Sequence, residues 1–244
     1  MQILGVKIDE LTKQQALEKA REFLLSSTSH KIFTPNPEML VDAQKDADFK
    51  AVLNGGDMNL CDGFGLWLAT GRRTERISGV DFMLDLCALA EKEGKSVYLL
   101  GSGSDEVVKK TAQVLQNKFP MLKIVGCNKG PHILHSTFYI PQDDNEGTIH
   151  DIILSSPDIL FVAFGHSKQE KWIDQNLRDL PSLKIAMGVG GAFDFISGKV
   201  HRAPRFMRKI GLEWLWRLAY QPWRIERIWK ATFKFLYLCY KNQS

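Results

Sequence analysis

The chain has 244 residues, 44% of them hydrophobic and 25% charged, a size and composition typical of a globular protein with a substantial core. Its net charge of +4 is uneven: residues 201–244 carry ten Lys or Arg against two Glu, whereas the preceding 200 residues carry 22 basic and 26 acidic side chains. No apolar run approaches the roughly 18 residues that a membrane-spanning helix needs, and the N-terminus lacks a signal-peptide layout, so we expect a protein kept on the cytosolic side.

The first 95 residues alternate helical and strand patterns. Apolar spacing predicts a helix over residues 11–25, with Asp9 as a possible cap, and a second helix over 38–53. Short apolar runs predict strands at 31–34 and 58–61, the second of which stops at Asp62-Gly-Phe-Gly65. A further helix is predicted over 80–93. The element order indicates an α/β subdomain of residues 1–95 that carries Asp62.

The next hundred residues repeat this alternation. Strands are predicted at 96–100, 122–126, 159–163 and 185–189, with a helix over 105–119 and a flexible polar loop over 139–147. Such alternation predicts a Rossmann-like, mostly parallel sheet flanked by helices, with ligands at the carboxyl ends of the strands. We therefore expect a Rossmann-like subdomain at 96–200 and a separate basic appendage at 201–244.

Three glycine-bearing loops follow predicted strands. Gly101-Ser-Gly103 has the geometry of a phosphate cradle, but Glu106 occupies the place of the third glycine of a dinucleotide fingerprint, and no acidic residue follows the next strand. This disfavours NAD and FAD and leaves open a nucleotide, a nucleotide sugar, or a tight turn without a ligand. With Gly165–Glu170 and Gly188–Asp194 at the same sheet edge, a phosphorylated ligand is favoured.

Few other polar patterns point to chemistry. Asp62 lies where an α/β sheet presents catalytic groups, although a helix cap is an equal alternative. Arg72, Arg73 and Arg76 either bind phosphate or form a solvated face. Metal binding is not predicted: Asp46-Ala-Asp48 falls within a helical pattern, and the histidine pair 132 and 135 has no nearby carboxylate or thiol.

The appendage predicts a basic amphipathic helix that begins at Pro222. Its apolar stripe comprises Ile225, Ile228, Trp229, Thr232, Phe233, Leu236, Tyr237 and Tyr240. Such a stripe fits packing on the core or contact with a membrane surface, and the excess of cations favours an anionic membrane.

Together these motifs resemble the WecG/TagA/CpsF glycosyltransferases, glycosyltransferase family 26. The matching segments run collinearly from about residue 30 to 235 and are Thr34-Pro-Asn36, Cys61-Asp-Gly-Phe-Gly65, Arg76-Ile-Ser-Gly-Val-Asp81, Leu99-Leu-Gly101, Gly165-His-Ser-Lys-Gln-Glu170, Gly188-Val-Gly-Gly-Ala-Phe-Asp194, Arg202-Ala-Pro204 and Gly211-Leu-Glu-Trp-Leu-Trp-Arg217. One departure is Ser167, where the family usually has proline before Lys-Gln-Glu.

The resemblance implies an inverting, metal-independent transferase that needs no cofactor. It would move a hexosyl unit, of the N-acetylmannosamine type by family association, from a UDP-sugar to a sugar on a polyprenyl diphosphate. Such enzymes serve teichoic acid and other bacterial surface polysaccharides. They act from the cytoplasm, peripherally on the inner face of the cell membrane.

The resemblance also implies roles for particular residues. Asp62 would be the general base, Thr34 and Gln169 would orient the sugars, and Arg217, Arg224 and Arg227 would stabilise the leaving UDP. The implied substrate-binding residues are Asn36, Arg76, Gly101, Gly103, Gly165, Lys168, Glu170, Gly190, Asp194 and Arg202.

Two other functions remain open from the residues. A non-enzymatic nucleotide-binding membrane adaptor would use the same loops and basic tail. A nucleic-acid binder is disfavoured, because the tail segregates its aromatic and cationic residues on separate faces of one helix. A homo-oligomer is compatible with the sequence.

Overall fold

The computed structural model describes residues 1–131 and 140–241, except for the side chains of Lys209 and Arg224. The histidine pair at 132 and 135 and the first residue of the predicted 139–147 loop lie outside the described residues. The strands are β1 (Gln2–Ile3), β2 (Val6–Lys7), β3 (His30–Phe33), β4 (Met58–Asn59), β5 (Ser96–Gly101), β6 (Lys123–Asn128), β7 (Ile159–Ala163) and β8 (Ile185–Gly188).

Helices cover most of the remaining described residues. They are α1 (Lys13–Leu25), α2 (Pro37–Asp42), α3 (Ala47–Asn54), α4 (Phe64–Ala69), α5 (Gly79–Lys92), α6 (Asp105–Lys118), α7 (Gln142–Ser155), α8 (Lys168–Asn176), α9 (Ala192–Ile196), α10 (Arg205–Lys209), α11 (Glu213–Tyr220), α12 (Ile225–Trp229) and α13 (Phe235–Lys241). Leu177–Asp179 and Pro222–Arg224 form 3₁₀ turns, and the π-helical segment Lys230–Lys234 joins α12 to α13.

A six-stranded sheet of order β4-β3-β8-β7-β5-β6 organises the molecule, and all its pairings are parallel. This confirms the predicted α/β fold. The pairing of β3 with β8 carries the sheet across the boundary expected at residue 95. Strands from both sides of residue 95 thus share one sheet. The division into three units stays a prediction.

The two faces of the sheet fill two hydrophobic clusters. Along β5, Val97 and Leu99 lie in one cluster, whereas Tyr98 and Leu100 lie in the other. Successive side chains of a strand point to opposite faces, so a strand covered on both sides reads as a continuous apolar run. The central strands β5, β7 and β8 are buried throughout for this reason.

Some predicted helix boundaries were wrong. Thr12, not Asp9, caps α1: it forms a capping box with Gln15, and the Asp9 carboxylate accepts a hydrogen bond from the Asn59 amide at 2.7 Å. The region predicted as a single helix over 38–53 contains two helices, α2 and α3. Asp46 caps the N-terminus of α3, which starts a new helix after the break. Its carboxylate also pairs with Lys171 at 2.6 Å.

The loop predicted over 139–147 was also wrong. Helix α7 begins at Gln142 and places Asp143 and Asp144 in its first turn. Carboxylates there are favourable, because they oppose the positive end of the helix dipole. These polar residues therefore form the start of a helix, and the prediction that they belong to a loop was wrong.

The appendage ends in one helical run, α12 to α13, that has two apolar faces. Phe235 is fully buried against the core, with Leu238 and Cys239 beside it. Trp229 and Phe233, which belong to the predicted stripe, are 60% and 61% exposed and stack on each other at 4.5 Å. The stripe is thus not the face that packs on the core. Among the described residues, no helix has the length and apolarity to cross a bilayer.

Candidate active site

A polar cavity of about 1240 Å³ lies at the carboxyl ends of the sheet strands. Residues that follow all six strands line it: Thr34 and Asn36 after β3, Asp62 after β4, Ser102 and Gly103 after β5, Lys129 and Gly130 after β6, Gly165 and His166 after β7, and Gly190 and Gly191 after β8. Parallel strands bring these ends to one edge, so residues that are distant in sequence meet there.

Most of the predicted site residues line this cavity. They are Thr34, Asn36, Asp62, Gly103, Gly165, Lys168, Gln169, Gly190, Asp194, Arg217 and Arg227. Four others, Arg76, Gly101, Glu170 and Arg202, are not among its lining residues. Arg224 ends the 3₁₀ turn before α12, but its side chain lies outside the described part of the structure.

Asp62 lies in the cavity wall just after β4 and has an unusual protonation equilibrium. Burial and, after it, the negative charge of Glu213 raise its pKa to about 6, although hydrogen bonding from Gly79 and the charge of Arg217 oppose the shift. The Gly79 amide, at the start of α5, donates to Oδ2 at 3.3 Å. A carboxyl group with this pKa can accept a proton near neutral pH.

Asp62 does not cap α4, the helix that follows it in the chain. The N-cap of α4 is Gly63, and no side chain caps that helix. The carboxylate instead faces the cavity and meets the first amide of α5, a helix that comes 17 residues later in the chain. Its placement therefore depends on tertiary packing.

Helix α11 brings a cation to this wall. The Arg217 guanidinium lies 4.7 Å from the centre of the Phe195 ring, and its Nη2 lies 3.4 Å from Glu213 Oε1, one helical turn earlier. Arg217 lines the cavity, so the appendage closes the site beside Asp62. The sequence predicted a role for Arg217 but none for Glu213, whose charge influences Asp62.

Glu170 supports the cavity from behind. It is 1% exposed, and its Oε1 accepts a hydrogen bond from Gln169 Nε2 at 2.7 Å. Gln169 Oε1 in turn accepts from the Gly190 amide at 2.8 Å. Burial raises the pKa of Glu170, and its Oε2 has no hydrogen-bond partner among the described residues. Glu170 thus orients Gln169, which does line the cavity.

Glycine is required where these segments approach each other. A Cβ on Gly188 would lie 2.7 Å from Gln169 Nε2, and one on Gly101 would lie 2.7 Å from the backbone of Ala163. Gly101 also has a φ of +123°, which L side chains rarely adopt. Its role in the structure is therefore close packing of β5 on β7 next to the cradle, with no place in the cavity lining.

Two of the predicted binding arginines form part of an inter-element tie. Arg202 makes two hydrogen bonds to Asp81, at 2.6 and 2.8 Å, and Arg76 donates to the backbone carbonyl of Arg208. These contacts fasten the start of the appendage to α5 and to the segment that precedes it. Neither side chain is among the residues that line the cavity, and their role in substrate binding stays a prediction.

The loop before α8 contains a residue other than glycine with a positive φ. Ser167 has a φ of +70°. The ring of proline fixes φ near −65°, so the proline that the family usually carries here could not adopt this conformation. Lys168 and Gln169 nevertheless line the cavity, so the departure at Ser167 leaves them at the site.

An acidic end of the cavity was missed from the sequence. Asp143, Asp144 and Asp151 from α7 line it together with Asn128. The signal existed in the polar first turn of α7, but its interpretation as a flexible loop separated it from the site.

Parallel topology and a polar cavity at the strand ends are typical of α/β enzymes. Residues 1–244 match the model of the glycosyl transferase WecG/TagA/CpsF family, and the chain belongs to this family of glycosyltransferases.

Two curated relatives are both named N-acetylglucosaminyldiphosphoundecaprenol N-acetyl-beta-D-mannosaminyltransferase. The one from Bacillus subtilis (strain 168) is 36% identical over 201 residues, which cover 81% of this chain and 74% of the relative. The one from Staphylococcus aureus (strain NCTC 8325 / PS 47) is 31% identical over 241 residues, covering 96% and 90%.

The charge of Glu213 generates a prediction about pH. Replacement of Glu213 by Gln removes a negative charge that raises the pKa of Asp62. The acidic limb of kcat/KM, expected near pH 6 for the unmodified protein, should move to lower pH by roughly half a unit to one unit. The measurement is a pH–rate profile from pH 4.5 to 8.

The matched control is Glu226→Gln, which removes an acidic side chain from the first turn of α12. That variant should keep the original limb. An unchanged limb in Glu213→Gln would show that Asp62 is not the group that sets it.

Proposed function

We propose that this glycosyltransferase moves an N-acetylmannosamine-type residue from a UDP-sugar to a sugar carried on a polyprenyl diphosphate, for a bacterial surface polysaccharide or teichoic acid. The observation that carries the proposal is the presence in one cavity of a carboxyl group with a raised pKa, Asp62, and two guanidinium groups, Arg217 and Arg227. The names of the two relatives support the choice of sugar and acceptor.

The proposed reaction is a single displacement. The acceptor hydroxyl oxygen forms a bond to the anomeric carbon of the donor sugar, and its proton passes to the carboxylate of Asp62. The bond from that carbon to the diphosphate oxygen breaks, and UDP departs with the electron pair. Because one face of the sugar is attacked while the other releases UDP, the anomeric configuration inverts.

Protein groups would meet the charge that develops on UDP. Arg217 and Arg227 line the cavity, and the glycine loops after β5 and β8 present backbone amides at the same edge. Guanidinium groups bind diphosphate oxygens through paired hydrogen bonds, and preorganised donors are the largest contribution to many such reactions. We therefore propose catalysis without a metal ion, with Asp194 and Lys168 as nucleotide contacts.

The acceptor lipid lies in a membrane, which the exposed aromatic residues of the appendage can contact. Trp223, Trp229, Phe233 and Tyr237 are each at least 60% exposed on a segment rich in Lys and Arg. Aromatic rings and cations on one helix are typical of contact with the headgroup region of an anionic bilayer. We propose that the protein binds peripherally to the inner face of the cell membrane, with the cavity beside the lipid diphosphate.

UDP release tests the proposed reaction. The assay uses a panel of UDP-sugars, with and without a GlcNAc-diphosphate-lipid acceptor, each in the presence and in the absence of EDTA. We expect acceptor-dependent, EDTA-resistant release from UDP-N-acetylmannosamine and an inverted linkage in the product by NMR. Loss of release with EDTA would contradict metal independence, and absence of release from every donor would contradict the transfer itself.

Asp62→Asn distinguishes the transferase from the adaptor. The variant should lose turnover by at least about a hundredfold, because it has no base, and should still bind UDP. It should not lower the melting temperature at pH 7, since a folded pKa raised above the usual 3.8 means that the ionised carboxylate is unfavourable in the folded state. An adaptor would be indifferent to the change.

Membrane contact predicts a second effect. Trp229→Glu combined with Phe233→Glu should weaken cosedimentation with vesicles containing phosphatidylglycerol by at least about tenfold, because two aromatic side chains lose their apolar contact. Leu25→Glu is the control, since Leu25 is 73% exposed at the end of α1, away from the appendage sequence. Equal binding of both proteins would contradict the assigned surface.

A further inference from the structure

An ion-paired network joins the appendage to the core beside the cavity. Arg227 Nε lies 2.8 Å from Glu38 Oε1, and Arg227 Nη2 lies 2.9 Å from Oε2 of the same carboxylate. Lys230 Nζ lies 2.8 Å from Asp42 Oδ1. Residues 38 and 42 are one turn apart on α2, and 227 and 230 are one turn apart on the facing helix, so the two pairs form in register.

His166, from the loop after β7, links the two pairs. Its Nε2 lies 3.0 Å from Asp42 Oδ2, and its Nδ1 lies 3.3 Å from Arg227 Nη2. Because a guanidinium only donates hydrogen bonds, Nδ1 accepts and the proton resides on Nε2, which donates to Asp42. The imidazole therefore contacts Arg227 from a direction different from that of Glu38.

Glu38, Asp42 and His166 have ligand atoms within 4.8 Å of one another, close enough to share a cation. In this structure the cations near them are the side chains of Arg227 and Lys230. Burial alone would raise the pKa of Asp42, but hydrogen bonds from His166 and Lys230 hold it below its usual value. Glu38, Asp42 and His166 thus bind two basic side chains of the appendage.

The contacts of Arg227 leave the Nη1 nitrogen of its guanidinium for a ligand. Glu38 engages Nε and Nη2, and His166 engages Nη2 again. Within residues 1–131 and 140–241, Nη1 has no hydrogen-bond partner, and Arg227 lines the cavity. A guanidinium carries five N–H donors; Glu38 accepts from two of them and His166 from a third, so the two N–H groups of Nη1 remain for an anion, and pairing with Glu38 and binding of an anion are compatible.

Burial makes the pair with Glu38 specific. Glu38 is 9% exposed, and no other basic side chain of the described residues forms a hydrogen bond or an ion pair with it apart from His166 at 3.9 Å. A carboxylate held in this way fixes both the position and the plane of the guanidinium it binds. The flexible side chain of Arg227, which is 45% exposed, would otherwise sample many rotamers.

We infer that Glu38 is a positioning residue for the proposed transfer: together with His166 it holds Arg227 so that Nη1 of the guanidinium meets the diphosphate of the UDP-sugar. This rests on the proposed function, because Arg227 is assigned to the diphosphate there. Asp42 and Lys230 secure the same helix one turn further along. Glu38 itself touches neither substrate nor reacting atoms.

A double-mutant cycle tests this inference. Glu38→Gln keeps the size of the side chain and removes its charge, and Arg227→Gln removes the guanidinium. We expect each single variant to lower kcat/KM for the UDP-sugar by on the order of tenfold or more, and the double variant to be no worse than Arg227→Gln alone. The dissociation constant for UDP, measured by calorimetry, should follow the same non-additive pattern.

Asp46→Asn is the matched control. Asp46 forms an ion pair of 2.6 Å with Lys171, and asparagine is as good an N-cap for α3, so the change removes a carboxylate near α2 that does not touch the appendage. It should keep the original kcat/KM. Asp42→Asn, which loosens Lys230 without touching Arg227, should lower kcat/KM less than Glu38→Gln does.

The outcomes separate the inference from the proposed function. If the unmodified protein transfers sugar but Glu38→Gln is as active, or the two losses add in the double variant, Glu38 does not act through Arg227 and the inference is wrong. If the protein transfers no sugar but binds UDP with the expected non-additivity, the inference stands and the proposed reaction fails. A faster Glu38→Gln would mean that Glu38 withholds Arg227 from the ligand, which also overturns the inference.

Discussion

The pairing of β3 with β8 determines where every functional group lies. It places His30 opposite Ile185 and Ile32 opposite Met187, so the segment after β3 meets the segment after β8 at one edge of the sheet. Without it, Thr34 and Asp62 would belong to one half of the chain and Gln169 and Gly190 to the other. A single hydrogen-bonded register thus converts two separate glycine-bearing halves into one cavity.

Electrostatics divides the cavity wall into regions with different tasks. Asp62 is the carboxylate that burial and Glu213 make more basic, while Glu38 and Asp42 have cations close beside them. These side chains carry the same functional group, and their surroundings give them different roles. Asp62 can accept a proton, whereas Glu38 and Asp42 hold arginine and lysine in place. The appendage supplies both kinds of partner, since Glu213 and Arg227 lie on it.

The sequence predicted the fold and most of the cavity lining, because both depend on local patterns. Buried parallel strands read as short apolar runs, and glycine after a strand marks the point where a loop reaches a ligand. The parts that the sequence could not show depend on distant contacts. Neither the ion pair of Arg202 with Asp81 nor the burial of Glu170 has a local signal in the sequence.

The apolar stripe of the last helix shows a further limit. Periodicity identified Trp229 and Phe233 correctly as one face, but it could not tell whether that face or the face of Phe235 packs on the core. Either choice satisfies a helical period of 3.6 residues. The network around Glu38 was invisible for a related reason, since its two halves are separated by 189 residues of chain.

Hydrogen–deuterium exchange with and without UDP tests most directly whether the ends of β3, β4, β5, β7 and β8 and the appendage form one nucleotide site. The account predicts slower exchange on UDP binding in the segments that follow β3, β4, β5, β7 and β8, and in α11 and α12, with no change in β1, β2 or α1. Protection confined to one strand end, or absent from α11 and α12, would contradict it.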